Sequence, residues 1–205
     1  MSATIGIVNY GMGNLHSVSR QLRSCRATVK IIENPADFKA VQKIVLPGVG
    51  HFGKAMENLR SLSLHDALQE AVLVEKKPIL GICLGMQLMC KRSEEGESEG
   101  LGWFDTEIRR FQFEDTLNYK VPHIGWNTAK FNPAEPLMTG IEAEAAFYFV
   151  HSYFAPTDAP DKIIETNYPL PFSAGLARDH IFGVQFHPEK SHGNGMRLLE
   201  NFIQL

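Results

Sequence analysis

The 205-residue sequence predicts an α/β fold of one domain spanning residues 1–205: a central, mostly parallel sheet flanked by helices, with a strand-rich C-terminal half. Three observations predict it. The first half alternates short apolar runs with stretches of helical spacing. Short apolar strands separated by helices imply a parallel sheet covered on both faces. The chain is also long enough to bury a substantial core but short for two domains.

Residues 4–8 form the first such run. Residues 14–25 follow with Leu15, Val18 and Leu22 at helical intervals. Strands are expected over 28–32 and 43–46, the second stopped by Pro47-Gly48, then helices over 54–62 and 64–75. Residues 78–82 read as a buried strand that runs directly into a helix over 84–92. The stretch Glu94-Glu-Gly-Glu-Ser-Glu-Gly-Leu-Gly102 reads as a solvated loop. Strands are then expected over 106–113, 128–131, 145–150, 162–166, 172–178 and 181–186, the last two a hairpin turning near Arg178-Asp179-His180. An amphipathic helix over 196–203 closes the chain.

Composition excludes several function classes. A formal charge of −3 offers no electrostatic case for nucleic acid or an anionic membrane as partner. No segment approaches the roughly eighteen unbroken apolar residues needed to span a bilayer. The start, MSATIGIVNYG, lacks the basic region and apolar core of a signal peptide. Cys25, Cys83 and Cys90 are odd in number and lack CxxC spacing, so neither a disulfide framework nor structural zinc is expected, and a cytoplasmic setting fits.

One cysteine stands apart. Pro78-Ile-Leu-Gly-Ile-Cys-Leu-Gly-Met-Gln87 places Cys83 between strand and helix inside Gly81-x-Cys-x-Gly85, a cysteine version of the nucleophile elbow. Side chains at 81 or 85 would crowd that turn. A helix N-terminus favours the attacking thiolate, and the Leu84 amide is placed to stabilise an oxyanion. The same pattern also fits a buried structural cysteine. Cys90, two helical turns further on, is expected to pack in the core, and Cys25 has no catalytic company.

A thiol nucleophile needs a base, and the base needs a group that fixes its tautomer. His187 ends the last predicted strand and is followed by Pro188-Glu189, so Glu189 faces the same side if the chain stays extended. A second oxyanion donor is expected in Pro47-Gly48-Val49-Gly50, whose glycines let a backbone N–H of Val49 or Gly50 turn toward substrate.

These motifs, in this order and spacing, resemble the class I (triad) glutamine amidotransferases. With Tyr10-Gly-Met-Gly-Asn-Leu15, Pro122-His-Ile-Gly-Trp-Asn127, Phe149-Val-His-Ser-Tyr153 and Phe186-His-Pro-Glu-Lys-Ser191, the resemblance extends over the whole chain to the glutaminase subunits of imidazole glycerol phosphate synthase. It implies the fold of that class and a Cys83–His187–Glu189 triad releasing ammonia from glutamine through a thioester. It also implies an oxyanion hole from the backbone of Val49, Gly50 and Leu84, with glutamine held by Gln87, His151, Ser152 and Tyr153. The implied partner is a HisF-like (β/α)8 cyclase in a heterodimer, met by the 10–15 loop and residues 124–127, which uses the ammonia for histidine biosynthesis. Asn9, where aspartate is more usual, and the stretch 102–114 resemble a second branch, which feeds a HisF-like partner in surface-polysaccharide sugar synthesis. No cofactor or metal is implied.

Gly11-Met-Gly13, with Glu33 twenty residues beyond, resembles a dinucleotide-binding fingerprint, but His16 holds the place of its third glycine. His151, His180, His187 and His192 lack the tight i, i+4 pairing of zinc hydrolases; His180 reads as a hairpin-turn residue and His192 as a loop residue. A non-catalytic binding module would require a lost triad member. A peptidase or γ-glutamyl hydrolase would require an open cleft. The glycines flanking Val49 permit a peptide flip, so low basal activity rising on partner binding is expected.

Overall fold

A computed structural model of the chain describes residues 3–115 and 117–205. Met1 and Ser2, part of the stretch read for a signal peptide, lie outside the described residues, as does Thr116. Strands run in order β1 (Thr4–Val8), β2 (Thr28–Ile32), β3 (Lys43–Gly48), β4 (Ile79–Cys83), β5 (Cys90–Ser93), β6 (Ser98–Glu99) and β7 (Phe104–Arg110). They continue as β8 (His123–Thr128), β9 (Lys130–Phe131), β10 (Ala146–His151), β11 (Tyr153–Phe154), β12 (Lys162–Tyr168), β13 (Leu170–Arg178) and β14 (Ile181–Val184). The α-helices are α1 (Leu15–Ser24), α2 (Phe52–Ser61), α3 (Leu64–Gln69), α4 (Leu84–Leu88) and α5 (His192–Gln204).

Eight strands form the main sheet in the order β2-β1-β3-β4-β14-β13-β12-β9. Pairing is parallel from β2 through β14 and antiparallel beyond. The parallel strands are apolar on both faces because both are covered: Val8, Ile44, Leu46 and Ile79 join one core, and Ile7, Val45, Leu80 and Ile82 the other. Smaller sheets, β10-β8 and β11-β7-β5-β6, carry the rest. Asn14 caps α1 by accepting from the Ser17 amide, as its residue type favours.

Several expected boundaries are corrected. β3 does not stop at Pro47-Gly48; Pro47 pairs with Ile82 and Gly48 with Cys83. Its other neighbour, β1, pairs only as far as Val45, so a residue without an N–H is tolerated on that open side. The helix expected over 84–92 ends at Leu88. The carbonyls of Leu88, Met89 and Cys90 accept instead from the amides of Leu101, Trp103 and Gly102. Cys90 is therefore the buried first residue of β5. The acidic stretch 94–102 is likewise not a free loop: β6 pairs with β5, and Glu95 accepts from the Phe52 amide at 2.7 Å. The Pro122–Asn127 segment, given no strand in advance, is most of β8. β14 ends at Val184, before Phe186, and the last helix begins at His192 rather than 196.

Other readings gain physical explanations. Asn9 Nδ2 donates to Glu33 Oε1 at 3.0 Å, which an aspartate there could not do. That bond also occupies the carboxylate which the dinucleotide fingerprint would need free. The 102–114 stretch packs its aromatic residues inward and exposes its charged ones: Trp103 Nε1 donates to Gln69 Oε1 at 2.6 Å, and Phe111 stacks on Phe154. Among the described residues, no helix is long and apolar enough to cross a membrane.

Candidate active site

The carboxyl ends of β3, β4 and β14 meet where open α/β sheets place their ligands. Cys83 ends β4 with φ +55° and ψ −111°, a strained geometry for a residue with a Cβ and the one an elbow imposes. Its neighbours must be glycine. A Cβ at Gly81 would lie 2.7 Å from the Met86 amide nitrogen, and one at Gly85 would collide with the Leu46 carbonyl. The helix after Cys83 has only five residues, too few for a long macrodipole, and its first residue, Leu84, lines the cleft beside the thiol.

His187 and Glu189 arrive by a different local structure from the expected one. The chain does not stay extended: Pro188–Lys190 is a 3₁₀ turn with Pro188 at its start. The turn swings Glu189 back so that its Oε1 accepts from His187 Nδ1 at 2.8 Å, both side chains buried. The Ser191 hydroxyl donates to the His187 carbonyl and accepts from the Tyr148 amide, fixing this turn against β10. His187 Nε2 and Glu189 Oε2 are buried without a hydrogen-bond partner. Burial alone would lower the His187 pKa; the adjoining Cys83 and then Glu189 outweigh it and push it up to about 10.

Beside Cys83 lies a cleft of about 250 Å³ walled by Val49, Gly50, Leu84, Gln87, Glu95, Pro122, Val150, His151, Ser152 and Tyr153. It is small beside the ~300–1,000 Å³ of most small-molecule sites, a size suited to a single amino acid. Val49 is exposed, and Gly50 has φ +120°. Tyr10, expected with its loop on a partner-facing surface, is instead fully buried and donates its hydroxyl to the Pro47 carbonyl at 2.7 Å, holding the base of the Val49 loop.

The remaining expected contacts are brought together with a qualification. Gln87 lines the cleft, yet its Nε2 already donates to the Tyr153 carbonyl and to Gln185 Oε1, each at 2.9 Å. His151 is also engaged at both nitrogens. The Tyr153 carbonyl can only accept, so His151 Nδ1 donates to it, leaving Nε2 to accept from His123 Nδ1 at 3.1 Å. Asn127 Nδ2 then donates to His123 Nε2 at 3.3 Å. Burial lowers both histidines, His123 to about 4 and His151 to about 3, so both are neutral links. Ser152 and Tyr153 are half-buried at the rim.

Sequence reasoning missed Glu95, the one carboxylate on the cleft wall among the described residues, because it was read as part of a solvated loop. It also missed Gln185, whose Nε2 donates to Cys83 Sγ at 3.6 Å. Of the other histidines, His180 Nε2 meets the Val72 carbonyl at the hairpin turn, as expected there. His192 begins α5 rather than a loop and stacks on Trp126. Among the described residues, no three His, Cys, Asp or Glu side chains converge as a metal site requires.

The cysteine elbow, the buried histidine–glutamate pair and the amino-acid-sized cleft define a thiol-dependent amidotransferase site on an α/β sheet. The family model described as glutamine amidotransferase class-I matches residues 6–205. The imidazole glycerol phosphate synthase subunit HisH 2 of Pseudomonas aeruginosa is 44% identical over 202 residues, covering 98% of this chain and 99% of that protein. The HisH subunit of Sulfurimonas denitrificans is 48% identical, covering 98% and 97%. The structure of PurLQS from Thermotoga maritima shares the fold, with a TM-score of 0.75 at 15% identity, covering 100% and 99%. The chain belongs to the class I glutamine amidotransferases, and within them to the family of HisH subunits of imidazole glycerol phosphate synthase.

Proposed function

We propose that the chain is the glutaminase subunit of an imidazole glycerol phosphate synthase, cleaving glutamine to glutamate and ammonia at Cys83. The observation that carries this reading is the Cys83 elbow with the buried His187–Glu189 pair beside a cleft bearing one carboxylate. In the reaction, Sγ attacks the side-chain amide carbon with its proton already held on His187, whose pKa of about 10 keeps the imidazolium in place beside it. The oxyanion is met by the amide of Leu84 and by one from Val49 or Gly50. Collapse breaks the C–N bond, and the imidazolium returns the proton to the leaving nitrogen, releasing ammonia. Water then attacks the thioester as His187 takes its proton, and glutamate leaves with the thiol restored.

Glu95 supplies the counter-charge for the α-ammonium of glutamine, and the Ser152–Tyr153 rim meets its carboxylate end. Ammonia passes to a separate (β/α)8 cyclase subunit. Ile124 and Trp126, exposed on β8, provide apolar surface for docking it.

Cys83→Ala and Cys83→Ser test the reading in the assembled enzyme. Both are expected to abolish glutamine hydrolysis while ammonia-dependent synthesis by the partner persists. Glutamine cleavage by either variant would overturn the assignment. Failure of ammonia-dependent imidazole glycerol phosphate formation with the wild-type pair would overturn the pathway.

A further inference from the structure

Gln185 has no part in the mechanism above. It is fully buried, and its backbone N–H donates to the Ala174 carbonyl of β13. Its amide orientation is forced by its neighbours. The Tyr153 carbonyl can only accept, so Gln87 presents Nε2 there and gives that same group's second hydrogen to Gln185 Oε1. Gln185 Nε2 is left facing Cys83 Sγ at 3.6 Å.

The sulfur thus lies between a donor and an acceptor. On one side the Val150 carbonyl, 3.8 Å away, suits a thiol S–H; on the other the Gln185 amide suits a thiolate. With the proton on His187, the carbonyl contact is unfavourable and the amide bond is charge-assisted. No lysine or arginine lines the cleft. The titratable groups around the sulfur are His187, with Glu189 behind it, His151 from β10, Tyr10 beyond β1, and Glu95 before β6. We propose that Gln185 is a positioning residue for the nucleophile, its amide N–H holding Sγ in line with the cleft and favouring the charged form. The inference rests on Cys83 being the nucleophile.

The test is alkylation of the full chain by iodoacetamide without glutamine, the rate at Cys83 read by peptide mass spectrometry from pH 5 to 10. Gln185→Met removes the donor, and the isosteric Gln185→Glu replaces it with a carboxylate. The alkylation profile at Cys83 is expected to move to higher pH by about one unit in Gln185→Met, and further in Gln185→Glu. Glutaminase kcat is expected to fall about tenfold, for the loss of one charge-assisted hydrogen bond at the nucleophile, with KM little changed. Profiles of both variants that superimpose on wild type, with melting intact, would overturn the proposal; if one variant loses its melting transition, the other decides. Because alkylation needs no turnover, an unmoved profile alongside an inactive Cys83→Ala sinks this inference alone. An active Cys83→Ala sinks the functional reading.

Discussion

Glu189→Gln separates the charge of the base's partner from its shape. Glu189 accepts from His187 Nδ1 at 2.8 Å, and the two side chains are 2% and 3% exposed. Glutamine keeps an acceptor there and removes the charge. A hydrogen bond to a charged group is worth about 1.5–3 kcal/mol and a neutral one about 0.5–1.5, so the bond alone loses about 1–1.5 kcal/mol of imidazolium stabilisation. The full charge–charge attraction, about 4 kcal/mol at ~4 Å and an effective dielectric of ~20, sets the upper limit. A loss of about 2–3 kcal/mol lies between them and lowers kcat about 30- to 150-fold. Stability changes little, because Glu189 Oε2 already lacks a partner and the replacement removes a buried charge. The assay is steady-state glutamine hydrolysis by the enzyme assembled with its partner, with a melting curve alongside. KM is expected to hold, since Glu189 does not line the cleft. Wild-type kcat in Glu189→Gln, or an effect confined to KM, would refute the role given to this carboxylate.

Two further expectations concern stability. Gly85→Ala drives a Cβ into the Leu46 carbonyl, an overpacking cost of about 3 kcal/mol or more that lowers Tm by roughly 6–12 °C in calorimetry. Gly102→Ala, at φ +72° but in open space, costs only about 1 kcal/mol. His123 and His151 are held neutral, their folded values depressed to about 4 and about 3 by burial. Their contribution is present above the unfolded value near 6.5 and is lost as pH falls toward those values. At pH 5 each costs about 2 kcal/mol, so urea unfolding of His123→Gln should lose about 2 kcal/mol less between pH 7 and pH 5 than wild type.

The parallel half of the fold was legible because its strands are short, mostly apolar runs whose ends coincide with changes of composition. β1 and β2 fall where the pattern puts them. The misreadings arose where distant backbone overrides local preference. Residues 84–92 have helical residue types, but the amides of 101–103 claim the carbonyls of 88–90 and turn the chain into β5. β8 escaped notice because Gly125 and alternating polar side chains hide a strand whose pairing lies with β10.

At the site, legibility followed sequence separation. Gly81-x-Cys-x-Gly85 and His187-x-Glu189 are each local, so the residue types that build them sit side by side, and Pro188 dictates the turn that joins the second pair. Gln185 reaches Cys83 across 102 residues and Gln87 across 98, and neither link leaves a trace in local spacing. Glu95 is harder still, because a carboxylate in an acidic, glycine-rich stretch carries the signature of solvent. It becomes a cleft residue because the Phe52 amide at the start of α2 donates to its carboxylate and holds it inward. The chain Asn127–His123–His151 shows the same physics from the other side. Period-two alternation on β8 turns Ile124 and Trp126 outward while His123 and Asn127 point in, so one strand carries both the apolar face proposed for docking and the first links to Gln87 and Gln185.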